Sequence, residues 1–235
     1  MRDVLMPRSK RAMDVALSAA ALAVLSPVFL IAPLVIKLSS PGPVFYIAPR
    51  AGRRGRTFGQ FKYRTMHVGA DRAGAFTAKN DSRVFLAGRV LRLFKIDELP
   101  QLINVLRGEM SIVGPRPEEV NTVAECYTKA QRRVLEAVPG LTGLPQVRFF
   151  PELSVIDPDG MDPQEHYRKV ILPMRLEMDL EYVRNRNFWY DLKLIAHTAW
   201  LIAVRPWALL FATPEPTRHP QRMAESGQDR SERAA

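Results

Sequence analysis

Asp97 and Glu98 are adjacent carboxylates directly ahead of the run Leu99-Pro100-Gln101-Leu102-Ile103-Asn104-Val105-Leu106. Its apolar residues, Leu99, Leu102, Ile103 and Leu106, follow helical spacing, and Gly108 supplies a stop. Pro100 is tolerated only in a first turn, where backbone N–H groups have no helical partner. The spacing therefore predicts a short helix with both acids at or just before its N-terminus. Free N–H groups and the positive end of the helix dipole favour phosphate there. Successive helical residues diverge by about 100°. One carboxylate can thus hold a metal ion while the other points elsewhere. An N-cap Asp followed by a dipole-stabilising Glu would look the same in isolation, so the surrounding residues decide the reading.

Those surroundings are basic. Thr57 to Met66 alternates aromatic and basic residues, and in an extended chain Lys62 and Arg64 would share a face and could contact phosphate. A helix over Arg83–Phe94 brings Arg92 close to the acidic pair. Arg116 stands between Pro115 and Pro117, and a guanidinium on so stiff a backbone can grip phosphate bidentately with little entropy to lose. The 235-residue chain carries a formal charge of +10, which calls for an anionic partner: a phosphorylated substrate, an anionic membrane or nucleic acid. Cys126 stands alone, so no intrachain disulfide forms, and His67, His166, His197 and His219 are too scattered for a zinc site.

The elements that must position these residues begin with a basic stretch, Arg2 to Arg11, and an uncharged run, Val15 to Ile36. About 20 apolar residues suffice to span a bilayer. Ser26-Pro27 interrupts the run, however, and a kink is expected there. Both flanks are basic, with Lys10 and Arg11 before and Lys37, Arg50, Arg53, Arg54 and Arg56 after. The positive-inside tendency keeps both in the cytoplasm. A helix that enters, bends at Ser26-Pro27 and returns satisfies both observations; a straight span with its short N-terminus outside is the alternative.

Further along, Val44–Ile47 reads as extended, Arg50–Arg56 as a loop, His67–Ser82 as a polar loop and Glu118–Val138 as an amphipathic helix. Pro139 to Gly143 reads as a turn, Phe149–Pro163 as a second loop and Gln164–Arg186 as helix. Phe188–Ala212, with Trp189, Tyr190, Trp200 and Trp207, reads as a helix at a membrane interface, with a core helix as the alternative. Thr213–Ala235 is expected to be disordered.

Together these segments resemble the bacterial sugar transferases, the monotopic phosphoglycosyl transferases that act on polyprenol phosphate. The resemblance lies in Lys10-Arg11 with Asp14, Ser26-Pro27, Ser40-Pro41-Gly42-Pro43-Val44, Lys62-Tyr63-Arg64-Thr65-Met66, Asp97-Glu98-Leu99-Pro100-Gln101-Leu102, Asn104-Val105-Leu106 and Met110 to Pro117. Pro139-Gly140, Thr142-Gly143 and Gln146 continue it in the same order. It implies that Asp97 attacks the β-phosphate of a UDP-sugar, that UMP leaves, and that polyprenol phosphate then takes the phosphosugar. It implies Glu98 as the Mg²⁺ ligand, and Lys62, Arg92 and Arg116 as phosphate holders. Arg64, Gln146 and Arg148 complete the candidate substrate contacts. Two departures stand out: Lys95 replaces a small hydroxyl residue, and Val147-Arg148-Phe149-Phe150 replaces an Asn-Gly-Arg-like run.

The expected fold is α+β and mainly helical. A re-entrant membrane helix (1–38) precedes a small cytoplasmic catalytic domain (39–212) with interfacial amphipathic helices, then a disordered tail (213–235). The expected partners are a UDP-sugar, polyprenol phosphate and membrane lipid at the bacterial inner membrane, without nucleic acid; a homo-oligomer is compatible with the sequence. A basic membrane-associated protein binding nucleic acid or acidic lipid without catalysis is the competing class. It would account for the charge and the apolar ends but not for the ordered carboxylate, Pro-Arg-Pro and Ser-Pro elements.

Overall fold

The computed structural model describes residues 7–70, 81–148 and 162–211. The expected loops at 67–82 and 149–163 lie largely outside the described residues, and the tail from 213 lies wholly outside. Residues 1–203 form one compact unit; 204–235 form a second, of which 204–211 are described, as helix. The architecture is α+β and mostly helical.

The apolar N-terminal run folds as two helices, α1 (Arg8–Val24) and α2 (Ser26–Ser39), bent by 63° at the Ser26-Pro27 break. Pro27 lies in the first turn of α2, where its missing N–H does no harm, and the Ser26 hydroxyl donates to Ala23 O (2.8 Å). No single described helix is long and apolar enough to cross a membrane; the bent pair together reaches that length and composition.

The helix α1 is polar where it docks. The Lys10 ammonium donates to Val113 O (3.0 Å) and pairs with Asp191 (2.5 Å), which also accepts from Tyr182 OH (2.7 Å). Arg11 donates to Val105 O (2.5 Å) and Leu106 O (2.7 Å), and Asp14 Oδ1 accepts the Ile112 N–H (3.1 Å). Asp14 and Asp191 are buried and Lys10 and Arg11 half-buried, and each meets a partner of opposite charge or polarity.

The strands β1 (Phe45–Ala51) and β2 (Thr57–Tyr63) form an antiparallel hairpin in register from Phe45↔Tyr63 to Ala51↔Thr57. The expected extended stretch at 44–47 is thus longer, and a short turn at Arg53–Gly55 replaces the wide loop. The amphipathic α3 (Leu86–Leu93) follows, starting three residues later than its apolar pattern predicts. With α2 and Tyr63 it encloses a core of Ala32, Ile36, Phe85 and Leu91.

Next come a 3₁₀ turn (Ile96–Glu98) and α4 (Gln101–Arg107), which stops at Gly108 with φ 81°, a left-handed cap that suits glycine. The short strand β3 (Ser111–Val113) pairs in parallel with β4 (Gly140–Thr142), where the sequence predicts only a turn. A Cβ at Gly140 would sit 2.1 Å from Gly114 N, so only glycine allows this approach.

The expected helix over Glu118–Val138 is two pieces, α5 (Val120–Cys126) and a 3₁₀ turn at Gln131–Glu136. Thr128 and Gln131 explain the break: each side chain bonds the other's backbone N–H (2.9 and 3.3 Å), which diverts the chain from helix. After α6 (Leu144–Arg148), a helical run continues through α7 (Pro163–His166), a π-helical turn (Tyr167–Ile171) and α8 (Leu172–Asn185). The last described helix, α9, spans Phe188–Phe211. Leu172 and Leu176 of α8 pack with Val123, Tyr127 and Val134, while Met178 and Tyr182 meet Val113, Leu144 and Leu194.

Candidate active site

The two acids lie just before α4, in the 3₁₀ turn that precedes it, and Pro100 is the N-cap of α4. Lys95 sets this up. It adopts a left-handed backbone (φ 57°, ψ 20°), a costly conformation for a residue with a Cβ, and so turns the chain sharply between α3 and the acids. Lys95 therefore has a backbone role, and its charge also acts on both acids.

Asp97 is buried, 8% exposed, and its Oδ1 finds no hydrogen-bond partner among the described residues. Burial, then the neighbouring Glu98 charge, push its carboxyl above the usual range, against the pull of Lys62, Lys95 and Arg92. Glu98 is the opposite case. Burial alone would raise it, but Arg116, which donates to Oε1 (2.9 Å), and Lys62 (3.9 Å) hold it far below the usual range. Two adjacent carboxyls thus differ in character: one anion is clamped between cations, and the other is buried with a free oxygen. Burial in turn lowers Lys62 to about 8, opposed by the Glu98 charge.

The fold brings together Asp97, Glu98, Lys62 and Arg116. Arg92 flanks them, donating Nε–H to Thr65 Oγ1 (2.8 Å) while its charge acts on Asp97. Arg64 goes elsewhere, a correction to the expected shared face with Lys62. The strand ends at Tyr63, and the Arg64 guanidinium donates to Pro43 O (2.6 Å), Ser40 O (2.7 Å) and Ser40 Oγ (2.8 Å), fastening the turn after α2. Arg148 pairs with Glu181 (3.0 Å) on the surface. Gln146 lies beside Gly143, and both of its amide atoms are buried without partners among the described residues.

A buried group behind Arg116 escapes sequence reasoning. Glu118 accepts from Arg175 (2.9 Å) and from Tyr167 OH (2.6 Å). Asp179, one turn after Arg175, is pushed up to about 7 by burial. The signal was present: Arg175 and Asp179 fall at i, i+4 on the face of α8 that Leu172, Leu176 and Tyr182 bury. These groups hold the segment after Pro117 against α8 and so brace the backbone that carries Arg116.

Among the described residues no cluster of three His, Cys, Asp or Glu side chains could cage a metal ion. One carboxylate beside phosphate-binding cations nonetheless fits Mg²⁺, which keeps several waters and shares substrate phosphates rather than filling a protein cage. Glu98 is the carboxylate of this site that could share such an ion with a substrate.

A family profile described as bacterial sugar transferase matches residues 5–205. The chain is 40% identical over 194 residues to the UDP-glucose:undecaprenyl-phosphate glucose-1-phosphate transferase of Caulobacter vibrioides, covering 80% of this chain and 67% of the relative. It is 36% identical to the exopolysaccharide production protein ExoY of Sinorhizobium fredii, over 81% of this chain and 83% of that protein. It is 33% identical to the UDP-N-acetylgalactosamine-undecaprenyl-phosphate N-acetylgalactosaminephosphotransferase of Aeromonas hydrophila, over 80% of this chain and 42% of that one. The chain thus spans two thirds or more of some curated relatives and less than half of others.

Proposed function

The chain belongs to the bacterial sugar transferase family, and from that premise we propose that it transfers a sugar phosphate from a UDP-sugar to polyprenol phosphate, releasing UMP, at the start of polysaccharide or glycoconjugate assembly. The names of its relatives support the reaction class. The observation that carries the residue assignment is the asymmetry of the acidic pair: Asp97 keeps a buried, unpartnered oxygen, while Glu98 is fixed by Arg116 and Lys62.

In the first step an Asp97 oxygen bonds to the β-phosphorus as the bond to the bridging oxygen breaks, and the electron pair leaves with UMP. In the second an oxygen of polyprenol phosphate bonds to the same phosphorus and the carboxylate departs. Splitting the transfer gives each step a good leaving group. Lys62 and Arg116 stabilise charge on the phosphates, with Arg92 beside them. Glu98 would hold Mg²⁺ together with the diphosphate, and the ion would supply further neutralisation of phosphate charge.

The bent α1–α2 pair supports a re-entrant anchor that keeps both flanks on the cytoplasmic side of the inner membrane. Trp189 and Trp200, exposed on α9, support an interfacial position for that helix. The decisive experiment is UMP release from a panel of UDP-sugars with polyprenol phosphate. Asp97→Asn abolishes it, as does chelation of divalent metal. Full turnover by purified Asp97→Asn would remove the nucleophile assignment, and a periplasmic N-terminal tag would replace the re-entrant anchor by a span.

A further inference from the structure

Besides Asp97 Oδ1, two buried donors close to the acidic pair find no partner among the described residues: Nε of Arg50 and Nε2 of Gln101. The hairpin register explains their placement. Directly opposed residues in an antiparallel pair project to one face, so Tyr46 with Lys62, Ala48 with Gln60, and Arg50 with Phe58 share a face. On that face Lys62 reaches Glu98 (3.9 Å) and Gln60 donates to Gln101 Oε1 (2.9 Å), leaving the Gln101 amide donor unused.

Along the other edge of β1 runs the segment that carries Arg116. The Ala51 N–H donates to Glu118 O (2.8 Å), Arg50 pairs with Glu119 (3.2 Å), and Arg116 turns back to Glu98 (2.9 Å). Lys62 and Arg116 thus both reach Glu98, and Arg50 pairs with Glu119, three residues after Arg116. The unused groups of Arg50 and Gln101 beside these pairs are donors, and buried donors of this kind call for an acceptor. Gln101 is only 1% exposed, so bulk water does not serve it.

The chemistry says which acceptor. Displacement at phosphorus runs in line. The oxygen that leaves with UMP departs opposite Asp97, and the oxygen that later expels Asp97 must arrive from that same side. The leaving and entering groups are both phosphate monoesters. We infer that Arg50 and Gln101 form one phosphate-monoester subsite, used by UMP as it departs and by the lipid phosphate as it arrives. The inference rests on the transfer reaction proposed above and adds two binding residues to it.

The test uses the purified full chain in lipid nanodiscs and reads two constants: inhibition by UMP, and KM for polyprenol phosphate. Arg50→Gln raises both about tenfold, as expected for loss of a charge-assisted bond. Arg50→Lys keeps the charge beside Glu119 but loses the Nε donor, and raises both constants by less; it decides the matter should Arg50→Gln not fold. Glu119→Gln separates binding from support. An Arg50 that merely held Glu119 would make this variant behave like Arg50→Gln, raising both constants, whereas the subsite predicts that neither constant rises, because the guanidinium loses a competing carboxylate and keeps its phosphate. A rise confined to UMP or to the lipid phosphate overturns the shared subsite, and unchanged constants overturn it altogether. If the wild type releases no UMP, the transfer reading falls and the subsite falls with it.

Discussion

Lys62 should make the folded protein less stable than it could be, and Lys62→Met should reveal this. Burial lowers the ammonium group from 10.5 to about 8, even with Glu98 at 3.9 Å pulling the other way. The difference corresponds to about 3 kcal/mol against the charged lysine in the folded state at neutral pH. The side chain is 19% exposed, so solvent screening trims the effect without removing it. Methionine has nearly the same length and no charge, and Lys62→Met should therefore gain about 2 kcal/mol at pH 7. The sign with pH follows from proton counts. Between about 8 and 10.5 the unfolded lysine holds its proton and the folded one does not, so wild-type stability rises with pH across that window. The advantage of Lys62→Met shrinks over the same window. Denaturant melts of purified protein at pH 7 and pH 9.5 measure both effects. With Lys62 in the proposed phosphate-holding role, UDP-sugar binding should weaken at least about tenfold in the variant. A variant less stable than wild type at pH 7, or an advantage that does not change with pH, would refute the reasoning.

Three further outcomes follow from the geometry. Because Asp97 is raised by burial and by Glu98, its ionised form is lost as pH falls through a value above the ordinary 3.8; the acid limb of single-turnover UMP release should lie correspondingly high, and Glu98→Gln should shift it downward. Gly88→Ala places a Cβ 2.2 Å from Thr65 O, where backbone cannot yield; a loss of about 2 kcal/mol is expected in thermal melts, and phosphate binding weakens because Arg92 leans on Thr65. Arg148→Ala breaks only an exposed pair with Glu181, so stability should change by no more than about 0.5 kcal/mol and turnover by less than about twofold.

The sequence made the acidic pair, its cations and the break at Ser26-Pro27 legible because each is local: a residue type, a spacing or a proline. It placed the acids at or just before a helix start because Leu99, Leu102, Ile103 and Leu106 keep helical period. It did not show the 3₁₀ turn that holds them there, imposed by the left-handed Lys95, because no periodicity reports a backbone sign. Arg64 was assigned to the face of Lys62 by alternation alone, and the strand stops one residue too early for that alternation to apply. Gly140 read as part of a turn because its role, letting β4 lie against Gly114, depends on a segment far from it in the chain. The Glu118–Arg175 pair was hidden for the same reason, since its members lie on elements whose contact only the fold reveals.

The docking of α1 also bears on the timing of synthesis. Arg11 reaches carbonyl oxygens about 95 residues downstream, and Lys10 pairs with Asp191, 181 residues downstream. At roughly 5–20 residues per second, the ribosome needs on the order of 10–40 s to pass from the first partner to the last. During that interval the Lys10 ammonium of α1, which also anchors the strand leading to Arg116 through Val113 O, lacks its carboxylate partner. A nascent chain therefore cannot close this ion pair before Asp191 has been made. A chain cut short before Asp191 would keep Asp97 and Glu98 and still lack the tie that joins α1 to α9.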